Sequence, residues 1–223
     1  VAPGTIISID DGKVTLTGLS LGEEGWSARV VRGGRIRKRK GINITPHPHL
    51  RTALSLGDTA IVQATAGMGH VRYALSFASS PLQIEALRAE AERVRGGKVW
   101  IATKLERGLT DDVMLAMGAV SDETWLCRGD LGAQLGLPGM VRLYRRFNTL
   151  VQTGAFGDCE CTIAGEVLDH MCNSPIPTRA EVCNLGDCLH CGYTGAVLSN
   201  ETAFGKYPSE AVAMVRAMLD DYY

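Results

Sequence analysis

The sequence predicts an α/β protein in which a small β-rich segment, residues 1–44, precedes a run of β/α units, residues 45–223. Three observations carry this reading. Short alternating strands broken by turn residues fill the first part, the texture changes at the Pro-punctuated TPHPHL of Thr45 to Leu50, and apolar strands then alternate with helical patterns. The chain of 223 residues, 45% of them hydrophobic, can bury a substantial core.

Taken in order, TIISID, KVTLTGL and SARVVRGG read as hairpin strands separated by turn residues. Beyond Leu50, Ser80 is expected to cap a helix with Pro81 in its first position and Gln83 as capping-box partner. Ile84, Leu87, Ala91 and Val94 form its apolar stripe, and Gly96 and Gly97 stop it. The strand KVWIATKLE follows, then a short helix LTDDVMLAMGAV and the strand ETWLC. GMVRLYRRFNTLV reads as a helix, GEVLDHM as a short one, PTRAEV as opening another, YTGAVLS as a strand and PSEAVAMVRAMLDDYY as the closing helix. Such a series predicts a parallel sheet with the active site at the C-terminal ends of its strands.

Twenty-three basic against 24 acidic residues leave a net charge of −1, which gives no global attraction to nucleic acid or an anionic membrane. The basic run Arg32, Arg35, Arg37, Lys38, Arg39 and Lys40 lacks interleaved aromatic residues for base stacking and reads as a solvated hairpin. No apolar run reaches the ~18 residues of a membrane span, and the N-terminal stretch lacks the pattern of a signal peptide. Val1 in place of an initiator Met is read as trimming. Seven cysteines without a regular framework point to free thiols in a reducing, cytoplasmic setting. CLHC, Cys188 to Cys191, has the gap of a zinc knuckle, but Cys183, Cys188 and Cys191 fall on the helix after PTRAEV and read rather as small buried residues than as a metal site.

The chemistry gathers at two strand ends. Side chains alternate along a strand, so Lys104 and Glu106 point the same way, and Asp130 in the RGDLG turn after ETWLC would converge on them. Two carboxylates beside a lysine suit a hard divalent cation such as Mg²⁺ or Mn²⁺, with the ammonium facing a developing anion. The same three residues also read as a surface salt-bridge cluster. Gly129 adds bare backbone that can approach a carboxylate or phosphate.

ALSFASSPLQIEALR, IATKLERG, SDETWLCRGDLG, IPTRAEV and GAVLSNETAFGKYPSEAV, in this order, resemble the pyruvate kinase family, and PGTIISIDDGKVTL with RKRKGINI resembles the end of its lid domain. The resemblance implies a (β/α) TIM-type barrel portion, residues 45–223, with a small all-β lid portion, residues 1–44. It implies Mg²⁺-dependent phosphoryl transfer between phosphoenolpyruvate and ADP, giving pyruvate and ATP, with K⁺ as a further cofactor. Lys104 then matches the catalytic lysine, and Glu106 and Asp130 match the metal ligands. Arg128, Gly129, Asp130, Gly165 and Ser76 match substrate-side positions, with Ser76 and Phe77 beneath the lysine, and Asp11 and Lys40 match nucleotide-side positions on the lid. Gly165 stands where the family carries a threonine that helps protonate the enolate. Nothing resembles the first three barrel strands or the allosteric C-terminal domain, so the chain is expected to be a homo-oligomer or to need a further segment, such as DTAIVQATAGMG, to complete the barrel. The other readings are a non-catalytic binding or assembly protein of this kind and a metal-dependent lyase acting on a 2-oxo acid through an enolate.

Overall fold

In the computed structural model, which describes residues 3–10, 12–36, 38, 40–45 and 54–222, the chain builds one antiparallel and one parallel sheet. Asp11 and the TPHPHL connection beyond Thr45 lie outside the described residues. The antiparallel sheet contains β1 (Ile6–Ile9), β2 (Val14–Gly22), β3 (Gly25–Arg32) and β4 (Ile42–Thr45) in the order β3-β2-β1-β4. Glu23 and Glu24 make a two-residue hairpin between Gly22 and Gly25. The β1–β2 turn sets Asp10 at φ 54°, a left-handed conformation that Asp tolerates better than most residues.

The parallel sheet follows the alternation of the sequence. Its strands β5 (Tyr73–Leu75), β6 (Ile101–Leu105), β7 (Glu123–Cys127), β8 (Glu160–Ala164) and β9 (Gly195–Val197) stand in chain order. The crossovers are α2 (Pro81–Arg95), α3 (Asp111–Gly118), α4 (Arg128–Gln152) and α5 (Arg179–Cys191), with α1 (Leu56–Ala64) before β5 and α6 (Asn200–Ala203) and α7 (Pro208–Tyr222) after β9. Among the described residues β5 and β9 are its two edges.

Period-two alternation divides the parallel sheet. Ile101, Leu105, Leu126 and Ile163 pack into the helices against Ile84, Leu87, Met114, Met117, Leu131, Phe147, Leu185 and Leu189. The Thr103 hydroxyl turns to the same side and pairs with Ser121 Oγ at 2.6 Å. Lys104, Trp125, Cys127, Ala164 and Val197 occupy the opposite face and line a cleft.

Several local expectations are corrected. RGDLG is the first turn of α4 rather than an open turn, because the helix starts at Arg128 directly after β7; it breaks at Gly136 (φ 67°, ψ 160°), two residues before Pro138. Asp58 to Ala64 of DTAIVQATAGMG is helical, begun by a reciprocal Ser55–Asp58 capping box, and adds no strand to the sheet. GEVLDHM forms only the 3₁₀ turn Asp169–Cys172. Ser80 makes no side-chain cap; Gln83 Oε1 accepts instead from Ser79 N at 2.7 Å. Pro81 does begin α2, and Gly96 ends it at φ 72°.

Candidate active site

A cleft of about 290 Å³ opens beyond the C-terminal ends of β6 to β9, lined by Lys104, Glu106, Asp130, Gly129 and Gly165, with Ser199 and Asn200 opposite. Parallel strands bring their C-terminal ends together, so residues far apart in the chain meet here. Glu106, immediately after β6, is 1% exposed. Its Oε1 lies 2.6 Å from Lys104 Nζ, and its Oε2 accepts a 2.7 Å hydrogen bond from the Phe77 amide. Phe77 is held at φ 53°, uncommon for a bulky residue, in the turn that aims this amide. Lys104 Nζ also donates to Ser76 Oγ at 3.2 Å.

Charge at this pair is set by burial and by neighbours. Burial pushes the Glu106 carboxyl above the usual range; Lys104 and the Phe77 amide offset part of that, and Asp130 adds like charge. Burial works against the Lys104 ammonium, but Glu106 outweighs it and holds the lysine above its ordinary value. Removing either partner would strand a poorly solvated charge.

Asp130 sits in the first turn of α4, where the helix N-terminus favours an anion. Its Oδ1 accepts a 2.8 Å hydrogen bond from Asn43 Nδ2 on β4, and Gln134 Nε2 donates to Ile44 O at 3.3 Å, so both contacts tie α4 to the antiparallel sheet. Gly165 has φ 86°, and a Cβ there would lie 3.2 Å from Gly129 N. Glycine therefore fits both the backbone conformation and the close approach of the α4 N-terminus.

Arg128 is occupied by the protein. Its Nε donates to Gly165 O at 2.9 Å, Nη2 to Glu166 O at 3.0 Å and Nη1 to Asn184 Oδ1 at 2.6 Å, so it braces the loop after β8 against α5. Lys40 pairs with Asp10 at 3.0 Å and stands 6.0 Å from the Phe204 ring centroid, beside α6. Lys40 is not among the residues lining the cleft.

The residues present fit a hard divalent cation. Glu106 and Asp130 offer oxygen donors in one cleft, and the burial and like charge that raise Glu106 are the conditions a cation relieves. Among the described residues no cluster of three or more His, Cys, Asp or Glu could hold a metal, so such an ion would draw further ligands from substrate or water. Asn43, Asn184, Trp125 and Glu166, which also lines the cleft, were not anticipated. Trp125 was legible, sharing strand parity with Cys127, whereas the two asparagines carry no signal in local sequence. Among the described residues no helix is long and apolar enough to cross a membrane.

Comparison with known proteins finds the family description "Pyruvate kinase, barrel domain" matching residues 1–212. The chain is 32% identical to pyruvate kinase of Haemophilus influenzae over 225 residues, covering 98% of this chain and 45% of that protein. It is 33% identical to pyruvate kinase II of Salmonella typhimurium over 227 residues, covering 98% and 46%. With pyruvate kinase of Methylorubrum extorquens the identity is 30% over 219 residues, covering 98% and 44%. The chain thus spans less than half the length of these relatives.

Proposed function

Since the chain belongs to the pyruvate kinase family, we propose that its cleft serves Mg²⁺-dependent phosphoryl transfer between phosphoenolpyruvate and ADP, giving pyruvate and ATP. The observation that supports this most is the buried Lys104–Glu106 pair at 2.6 Å in the same cleft as Asp130. Glu106 and Asp130 would hold Mg²⁺ or Mn²⁺, which when bound neutralises charge on substrate oxygens. Lys104 places a positive charge where the enolate oxygen develops, and its ion pair keeps it protonated at neutral pH. The Gly129 and Asp130 amides, at the N-terminus of α4, orient the substrate carboxylate.

Arg128 acts by bracing the Gly165–Glu166 backbone, and Ser76 by positioning Lys104. Gly165 brings no hydroxyl, so protonation of the enolate falls to water. The antiparallel sheet takes the lid role, and Lys40 and Asp11 are the nucleotide-side positions of this reading. K⁺ dependence, a homo-oligomer or a completing segment, and a cytoplasmic setting belong to the same reading.

Mn²⁺ titration followed by electron paramagnetic resonance tests the assignment. Asp130→Asn should weaken Mn²⁺ binding by about tenfold or more, because a neutral amide is a poor ligand for a hard cation. Lys104→Met should abolish whichever of pyruvate formation or pyruvate proton exchange the wild type shows. Equal Mn²⁺ affinity in wild type and Asp130→Asn would remove the metal assignment.

A further inference from the structure

A second hollow, of about 560 Å³, lies at the other end of the parallel sheet, where β5, β6 and β7 begin. Arg72, Arg95 and Lys98 line it together with His70 and Trp100. The one carboxylate in its wall, Asp122, is already neutralised: Arg88 Nη2 lies 2.7 Å from it, and the Ile101 amide donates to it at 2.8 Å. Among the described residues no carboxylate is within ion-pair distance of Arg72, Arg95 or Lys98.

Helix ends account for part of this charge. The C-termini of α1 and α2 reach the hollow: Arg95 Nη1 donates to Thr65 O, at the end of α1, at 3.3 Å, and Arg95 itself closes α2. Each helix end carries roughly half a negative charge, about one unit together, against three full positive charges. Glu92 stands 3.9 Å from Arg88 and Glu123 accepts from Trp100 Nε1 at 3.4 Å, but neither pairs with Arg72, Arg95 or Lys98, so these three cations keep the hollow positive, in a concavity of the size small ligands occupy.

Arg72 is already arranged for an anion. Its guanidinium lies over the Trp100 ring at 4.5 Å from the centroid. A guanidinium held over an aromatic face keeps N–H groups for the paired hydrogen bonds that Arg makes with phosphate. We propose that this hollow is a binding site for a small phosphate-bearing anion, with Arg72 presenting its stacked edge and Lys98 and Arg95 supplying charge. It is separate from the cleft of Lys104, at the opposite ends of the same strands, and does not depend on the function proposed there.

Calorimetric titration of inorganic pyrophosphate into the whole protein, at low salt and without divalent ions, tests this. Saturable binding is expected, weakened by about tenfold or more in Arg72→Ala/Lys98→Ala and unchanged within about twofold in Lys104→Met. If the double variant melts early, Arg72→Lys serves instead: it keeps the charge, loses the planar edge, and should bind several-fold more weakly than wild type. The proposal is overturned if pyrophosphate gives no saturable binding, if Lys104→Met removes it, or if Arg72→Lys binds as well as wild type. It is equally overturned if a single-stranded oligonucleotide binds where pyrophosphate does not.

Discussion

The antiparallel sheet β1–β4 and the parallel sheet β5–β9 meet at one site but are covered very differently. Every residue of β3 is exposed, including Trp26 at 45% and Val31 at 63%. By contrast Ile101, Leu105, Leu126 and Ile163 are all at most 1% exposed beneath the helices. The parallel sheet therefore holds the larger share of burial energy and, with it, the Lys104–Glu106 pair. The antiparallel sheet reaches the site through polar contacts, chiefly Asn43 on Asp130. A region can thus be decisive for a site's geometry while adding little to the core.

The largest expected effect attacks the parallel side. Leu105→Ala removes a fully buried side chain and should cost about 2–5 kcal/mol, read as a lower urea midpoint. Gly165→Thr should cost about 1–3 kcal/mol, since a β-branched residue is forced to φ 86° against the Gly129 amide. Any gain in enolate protonation from its hydroxyl must be measured against that loss, and a variant as stable as wild type would show that the loop relaxes.

Alkaline pH probes the same core. Burial, then Cys159 and Glu123, push the Cys161 thiol from 9.0 up to about 12. Between those values the unfolded chain has released a proton that the native state retains, so rising pH favours unfolding. Stability should fall from pH ~9 by up to ~1.4 kcal/mol per pH unit from this group, and Cys161→Ala should lessen the slope. A midpoint independent of pH between 8 and 10 in the wild type would show that this thiol is open to solvent in the native state.

On the antiparallel side the effects should shrink. Asn43→Ala removes one hydrogen bond to a charged group and should cost about 1–2 kcal/mol, with weaker Mn²⁺ binding as the sharper readout. Val31→Thr on the exposed face of β3 should stay within about 0.5 kcal/mol by denaturant titration. A large loss there would mean that β3 is covered in solution.

The sequence by itself determined the alternation of strands and helices, the hairpins, and three of the cleft's charged residues, Lys104, Glu106 and Asp130, but not Glu166. These features are local: hydrophobic period, Gly and Pro positions, and the parity that puts Lys104 and Glu106 on one side. It did not reveal β8, because the alternation of ECTIA runs for only five residues and is carried by small or semi-polar side chains, and it left RGDLG as a turn because two glycines weaken helix propensity. Tertiary structure alone decided that Arg128 is spent on Gly165, Glu166 and Asn184, that Asn43 reaches Asp130 across 87 positions of chain, and that Arg72 stacks on Trp100. Those contacts join residues whose spacing follows no local period, so only the packed chain brings them together.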